Sequence, residues 1–242
     1  MSWLGPIIGF GAILLGNFIE GGHISSLVQG SAFLIVIGGT IGAIFLAHDF
    51  ETIRQAWHLG LTALLRPHQS VTTTHEPILL DIAKTLKKEG PAVLEAQIEQ
   101  SITDPFQKKA VRLLIDGFSP NEIEALLQEK LNQEETLLLE SAKVWSDAGG
   151  YAPTMGILGA VLGLIHVMAN LTDTSKLGGG VAVAFVATIY GVAFANLIFL
   201  PIASKVRGMI QKQIENKRVF LRGVVGIAGN QTLSKLSLSL HQ

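Results

Sequence analysis

The chain has 242 residues, no cysteine, 48% hydrophobic and 15% charged residues, a net charge of −1 and a mean hydropathy of +0.44. Soluble domains carry about 25% charge, so this balance excludes a disordered chain, a disulfide-stapled secreted domain and a collagen-like fibre, and points to a membrane protein. The absence of cysteine removes thiolate catalysis and zinc–thiolate sites.

No Asp, Glu, Lys or Arg occurs in residues 1–19, 21–48, 148–172 or 177–204. A bilayer core of ~30 Å takes about 20 apolar residues in a helix. Four transmembrane helices are therefore expected, at 4–19, 28–47, 152–169 and 181–203. The first is short, but its start carries no positive charge, which argues against a cleaved signal peptide. Trp3 reads as an interfacial anchor. The expected fold class is all-α. It is a polytopic membrane protein with a hairpin at 1–49, a large helical cytoplasmic loop at 50–150, a second hairpin at 151–203 and a basic tail at 204–242.

Within the loop, punctuation residues mark helices. Pro77 opens one that Gly90 closes, and Pro91 opens the next. Asp104-Pro105 caps and starts a third, which Gly117 ends. Ser119-Pro120-Asn121-Glu122 is a capping box with proline in the first turn. Apolar Ile123, Leu126, Leu127, Leu131, Leu137 and Leu138 follow near helical period. This helix is expected to run to Gly149-Gly150 and feed the third span. The fourth span should run on through the stripe Val206, Met209, Ile210, Gln213, Ile214 and Lys217. Gly178-Gly179-Gly180 reads as a flexible turn in the outer loop.

Lysine and arginine set the orientation. Ten lie in residues 49–147 and seven after Ser204, against Lys176 alone in the two short loops. Basic residues stay on the cytoplasmic side, which puts the long loop and both termini in the cytoplasm. The tail sets its basic residues, Lys235 the last of them, against a single acid, Glu215. That charge reads as topology retention and attraction to anionic membrane lipid. Nucleic-acid binding would add interleaved aromatics; the tail has only Phe220, and no nucleic-acid partner is expected.

Enzyme chemistry is not expected either. The sequence has no nucleophile elbow, no Walker loop and no histidine pair at i, i+4, and it implies no cofactor and no metal. Small residues recur at four-residue spacing, as in Gly159–Gly163 and Gly191–Ala195, which supports close packing of membrane helices. Polar His166, Thr188, Tyr190 and Asn196 stand inside the last two spans. Thr188 either bonds its own helix carbonyl or lines an ion path, and His166 near the outer end reads as structural. No carboxylate lies in any span, and a proton or sodium path through hydrocarbon normally needs one. If the chain conducts, another subunit brings the acid.

The stretch Tyr151 to Leu164 (YAPTMGILGAVLGL) and the run from Ala187-Thr188-Ile189-Tyr190-Gly191 to Pro201-Ile202-Ala203 stand out. So do Gly16 to His23, Ile37-Gly38-Gly39-Thr40, Leu114-Ile115-Asp116-Gly117 and Ile123-Glu124-Ala125-Leu126. Together they resemble the A subunits of flagellar stators (MotA, PomA and MotC type), within the MotA/TolQ/ExbB proton channel family. The resemblance covers almost the whole chain. It implies a homo-oligomeric ring, a pentamer, around a dimer of a MotB-like single-span subunit. That partner supplies a membrane Asp and a peptidoglycan-binding domain. Ion flow past the Asp turns the ring, and the cytoplasmic loop pushes the rotor protein FliG. The implied location is the bacterial inner membrane.

Site residues follow from the same resemblance. Lys87, followed by Lys88, stands at the basic position of the torque motif, and Glu95 at its acidic position eight residues on. Pro91 departs from the usual apolar residue. Pro153 and Pro201 match the two prolines that couple ion flow to motion, and Thr188 the channel-facing threonine, with Tyr190 beside it. Ala160 stands where sodium-driven members carry threonine. One hydroxyl per subunit is a poor cage for a hard cation, so the expected ion is the proton, with sodium the alternative. The rivals are an ExbB/TolQ-type energiser of the outer membrane and a non-conducting membrane scaffold. The first usually has three membrane helices and an outward N terminus, which the apolar hairpin at 1–49 disfavours.

Overall fold

The computed structural model describes residues 4–65, 75–172 and 174–232; Trp3 and Lys235 lie outside the described residues. Among these every regular element is helical. Helix α1 is Leu4–Ile19. After a 3-10 turn at Ile24–Leu27, residues 30–47 form α2, in which Leu34–Gly38 takes π geometry. Next come α3 (Phe50–Leu65), α4 (Glu76–Lys88), α5 (Pro91–Ser101) and α6 (Pro105–Ile115). Helix α7 is Pro120–Ala169, and α8 covers residues 174–228 with a π stretch at Ala195–Phe199. Residues 1–69 with 139–208 form one compact unit, and residues 70–138 with 209–242 form another.

The first unit holds the apolar helices. Three helical stretches are long and apolar enough to cross a membrane: Ile24–Ala47, part of Pro120–Ala169 and part of Leu177–Ala228. The charge-free α1 coincides with the first expected span, but its 16 residues reach only about 24 Å. Its side chains are all exposed or half-exposed, as expected of a helix whose surroundings are lipid or other subunits. The third span is continuous with the amphipathic helix before it, within the single helix Pro120–Ala169, as expected. The Gly178-Gly179-Gly180 reading is corrected, because these residues lie inside helix Thr174–Phe194. A Cβ on Gly180 would come within 2.6 Å of the Val167 side chain. At least this glycine therefore serves a close helix crossing, and that packing overrides its tendency to break helices.

The second unit is built by caps and stops. Asp104, in extended conformation, accepts from the backbone N–H of Phe106 at 2.7 Å and Gln107 at 3.1 Å, and so starts α6. The capping box closes as expected: Glu122 Oε2 accepts from the Ser119 N–H at 2.9 Å, and the Glu122 N–H reaches back to the Ser119 hydroxyl at 3.4 Å. The serine bonds hold the Glu122 carboxyl below its usual range. Gly90 (φ +88°) and Gly117 (φ +78°) take the left-handed conformation that ends α4 and α6. Ile123, Leu127 and Leu131 are buried at four-residue spacing, as are Ile210 and Ile214 on α8, whereas Leu126 and Leu137 face outward. Lys217 bonds Glu134 at 2.5 Å, and Arg218 bonds Glu135 at 2.6 Å, adding modest ties between α7 and α8.

His75, at the start of α4, is only 6% exposed, and its ring stands edge-on to Phe220 with centroids 5.5 Å apart. Burial pushes its pKa down from 6.5; the Asn216 backbone and the Asp104 charge oppose this less strongly. The folded unit thus prefers the neutral ring. Above about pH 6.5 neither the folded nor the unfolded state binds the proton, so His75 adds no pH dependence. As pH falls below that value the unfolded chain binds the proton first, and stability drops. The protection factors of the α4 amides, measured against the intrinsic exchange rate at each pH, should therefore fall between pH 7.5 and 5.5 in the native chain. In His75→Phe that fall should be much smaller, and an equal fall would refute the assignment.

Candidate functional site

Helices α7 and α8 meet backbone to backbone. A Cβ on Gly156 would lie 2.9 Å from the Ala187 carbonyl oxygen, and one on Gly163 would lie 2.8 Å from the Gly180 carbonyl oxygen. One on Gly191 would lie 2.6 Å from the Ala152 carbonyl and 3.1 Å from Pro153 Cα. Glycine on both helices is what permits this approach. Beneath it, Ala32 and Val36 of α2 pack on Val186 and Ala187. The crossing brings the backbone of Pro153–Gly156 against that of Thr188–Gly191.

Pro153 and Pro201 both sit inside helices. Proline lacks the N–H that would bond the carbonyl four residues back. The π stretch Ala195–Phe199 ends just before Pro201, where the ladder must change register. Among the membrane helices α2 has the other π stretch, and there the buried Thr40 hydroxyl donates to the Val36 carbonyl at 2.6 Å.

Thr188 is exposed on one face of α8 with Phe185, Ile189, Val192 and Asn196. Its hydroxyl donates to the Ala184 carbonyl at 3.2 Å. The helix bond weighed from sequence is thus made, and the oxygen's lone pairs remain on the open face. The two readings of Thr188 are compatible. Asn196 follows two turns on, its amide donating to the Val192 carbonyl at 2.9 Å. Ala160 is half-buried on α7 beside Gly159, and Pro201 is exposed.

Tyr190 has a different setting from Thr188. Its hydroxyl donates to the Leu27 carbonyl at 2.5 Å and accepts from the Gln29 N–H at 3.3 Å. Its ring stands edge-on to Phe33 and Phe194. It therefore ties α8 to the turn before α2. His166 is exposed, with the Asn170 amide donating to its carbonyl.

Sequence reasoning missed a pair at the inner end of this unit. His48, at the end of α2, and Asp147 of α7 lie 2.9 Å apart. The available signal was that Asp147 is the last charged residue before the third span.

The second unit presents the charged residues. Lys87 and Lys88 form the last turn of α4, and Glu95 lies on α5 beyond the Gly90 turn. All three are exposed. Pro91 takes the first position of α5, where a missing N–H costs nothing. Leu94, buried beside Glu95, anchors the helix.

Comparison with known proteins places the chain. The model of the MotA/TolQ/ExbB proton channel family matches residues 98–218, and that of the motility protein A N-terminal region matches residues 3–90. The chain belongs to the MotA/TolQ/ExbB proton channel family. The motility protein A of Bacillus subtilis (strain 168) is 31% identical over 230 residues, covering 95% of this chain and 85% of that protein. The C. jejuni MotAB structure superposes with a TM-score of 0.88 at 26% identity, over 99% of this chain and 93% of that one. The flagellar MotAB stator complex of Bacillus subtilis gives a TM-score of 0.86 at 29% identity, over 98% and 93%. The N-terminal match separates the stator branch from the energiser branch, because it covers α1 and α2, the hairpin on which the two differ. The family is one of membrane ion channels and motors, not of enzymes.

Proposed function

We propose that the chain is the ring-forming subunit of an ion-driven flagellar stator. It sits in the bacterial inner membrane with both termini and the long loop in the cytoplasm. Several copies, five by the family pattern, surround a MotB-like single-span dimer anchored to peptidoglycan. The observation that carries the reading is the open face of α8. Thr188 and Asn196 lie on it in an otherwise apolar surface, and no span holds a carboxylate. An acid brought by a partner helix against that face completes an ion path. Pro153 on α7 and Pro201, which follows the π stretch of α8, couple ion flow to motion, and Lys87, Lys88 and Glu95 engage FliG at the rotor.

The transported ion is the proton. Ala160 offers a methyl group, and Thr188 one hydroxyl per subunit, whereas sodium needs several oxygens to replace its water. Swimming speed should be measured in cells relying on this stator alone, against external sodium at fixed pH. A flat response, with arrest by a protonophore, is expected. Speed rising from near zero with sodium, and surviving the protonophore, would reject the proton.

A further inference from the structure

In the second unit α7 and α8 run antiparallel. A Cβ on Gly229 would lie 3.9 Å from Pro120 Cγ at one end, and Glu134 bonds Lys217 further along. Between these two contacts the helices stay in step, so Leu126 lies within about a residue of the level of Val225, and Glu129 within about a residue of Arg222. A pocket of about 400 Å³ opens there between the two helices, lined by Glu124 and Gln128 of α7 and by Leu221, Arg222, Val225 and Gly226 of α8. Leu221 and Gly226 are buried and give it an apolar floor. The Arg222 side chain is 48% exposed at its mouth, 3.3 Å from Glu215.

The same turns of α7 carry an apolar knob on their other side. At about 100° per residue, Glu124 and Gln128 stand ~160–200° around the helix from Leu126. Leu126 is 47% exposed, in a face it shares with Glu129, Gln133 and Leu137 at i+3, i+7 and i+11. Buried Ile123, Leu127 and Leu131 lie on the flank between, so the knob cannot enter the pocket of its own chain. A knob on one side and a pocket at the same level on the other suit head-to-tail contact between copies. Copies in a ring are related by rotation alone, which carries no residue along the ring axis. Helix α7 enters this unit directly from the third span and so runs near the membrane normal, which is that axis. Leu126 of one copy therefore stands level with the next copy's pocket, and acidic Glu129 level with its Arg222.

We propose that Leu126 seats in the α7–α8 pocket of the adjacent copy, with Glu129 against that copy's Arg222, and that the contact repeats around the ring. The occupant of the pocket is thus a second copy of this chain. Charge complementarity at one level selects it. The bond from Arg222 to Glu215 is long and exposed, which leaves guanidinium donors for a second carboxylate. A rim pair of this kind sets register more than it adds affinity, and the leucine in its pocket supplies the apolar contact. This rests on the ring reading above, and the experiment separates the two.

The chain has no native cysteine, so the Leu126→Cys, Val225→Cys double variant of the full chain, co-expressed with its single-span partner, tests the contact in native membranes. Mild oxidation should give a ladder of interchain disulfides up to the closed ring, and neither single variant should dimerise. Adding Glu129→Arg should lower the yield severalfold, and adding Arg222→Glu to that should restore it. Native mass spectrometry of the solubilised complex counts the copies independently. A multi-copy complex with no interchain disulfide overturns the seating of Leu126 and leaves the ring intact. A complex holding one copy overturns the ring reading itself. Dimers from Leu126→Cys alone overturn the proposal in favour of two knobs face to face. Shielding of position 225 from a water-soluble maleimide in Val225→Cys, with no interchain disulfide in the double variant, overturns it in favour of residues 233–242 or the rotor as occupant.

Discussion

Gly191→Ala should abolish motility and lower the melting temperature of the detergent-solubilised protein, although alanine favours helix over glycine by ~1 kcal/mol. The added Cβ would meet the Ala152 carbonyl oxygen at 2.6 Å, and the Cα atoms of Gly156 and Pro153 at 3.1 Å. Overpacking costs about 1–3 kcal/mol where side chains give way, and these neighbours are all backbone. The two helices must separate, moving Thr188 on α8 away from Pro153 on α7. Gly208→Ala on the same helix is the control, because nothing lies within 4 Å of its would-be Cβ. It should melt at or slightly above the native temperature and swim normally. If Gly191→Ala matches the control in both assays, the crossing of α7 and α8 is looser than described.

The second large effect concerns the charged hairpin. Lys87→Glu or Glu95→Lys should leave the protein in the membrane and sharply reduce swimming. Both side chains are exposed at the α4–α5 turn and tie down nothing beneath them. Exposed charges act over a Debye length of ~10 Å at moderate salt. Neutralisation removes an attraction and reversal adds a repulsion, so Lys87→Gln should be the milder change. A charge reversal on FliG should partly restore a reversed stator, a result that general misfolding does not produce. Normal swimming by the Lys87→Glu, Glu95→Lys double variant would move the contact elsewhere, to Arg112 or Glu124.

Much of this was legible in the sequence because local chemistry decided it. Asp104-Pro105 and Ser119 to Glu122 cap helices through bonds reaching two or three residues, so spacing alone reveals them. The apolar runs mark the spans because hydrocarbon tolerates no charge. What the sequence hid depends on tertiary contact. Gly178-Gly179-Gly180 looks like a turn until Gly180 is found against Val167. The Tyr190 hydroxyl bonds Leu27 and Gln29, 163 and 161 positions away, which no spacing rule reveals. The π stretch at Leu34–Gly38 has no local signature, since it contains neither proline nor charge. His48 and Asp147 stand 99 positions apart, and no spacing rule joins them.

The most direct test of the central claim is rotation. In cells lacking their own stator genes, this chain is co-expressed with its single-span partner, and a bead on a flagellar stub reports torque. Stepwise restoration of rotation is expected as units join the motor. Rotation should be lost when the partner's membrane Asp becomes Asn, while both subunits remain in the membrane. Correctly inserted subunits that never turn the bead, or rotation that survives loss of that carboxylate, would contradict the account.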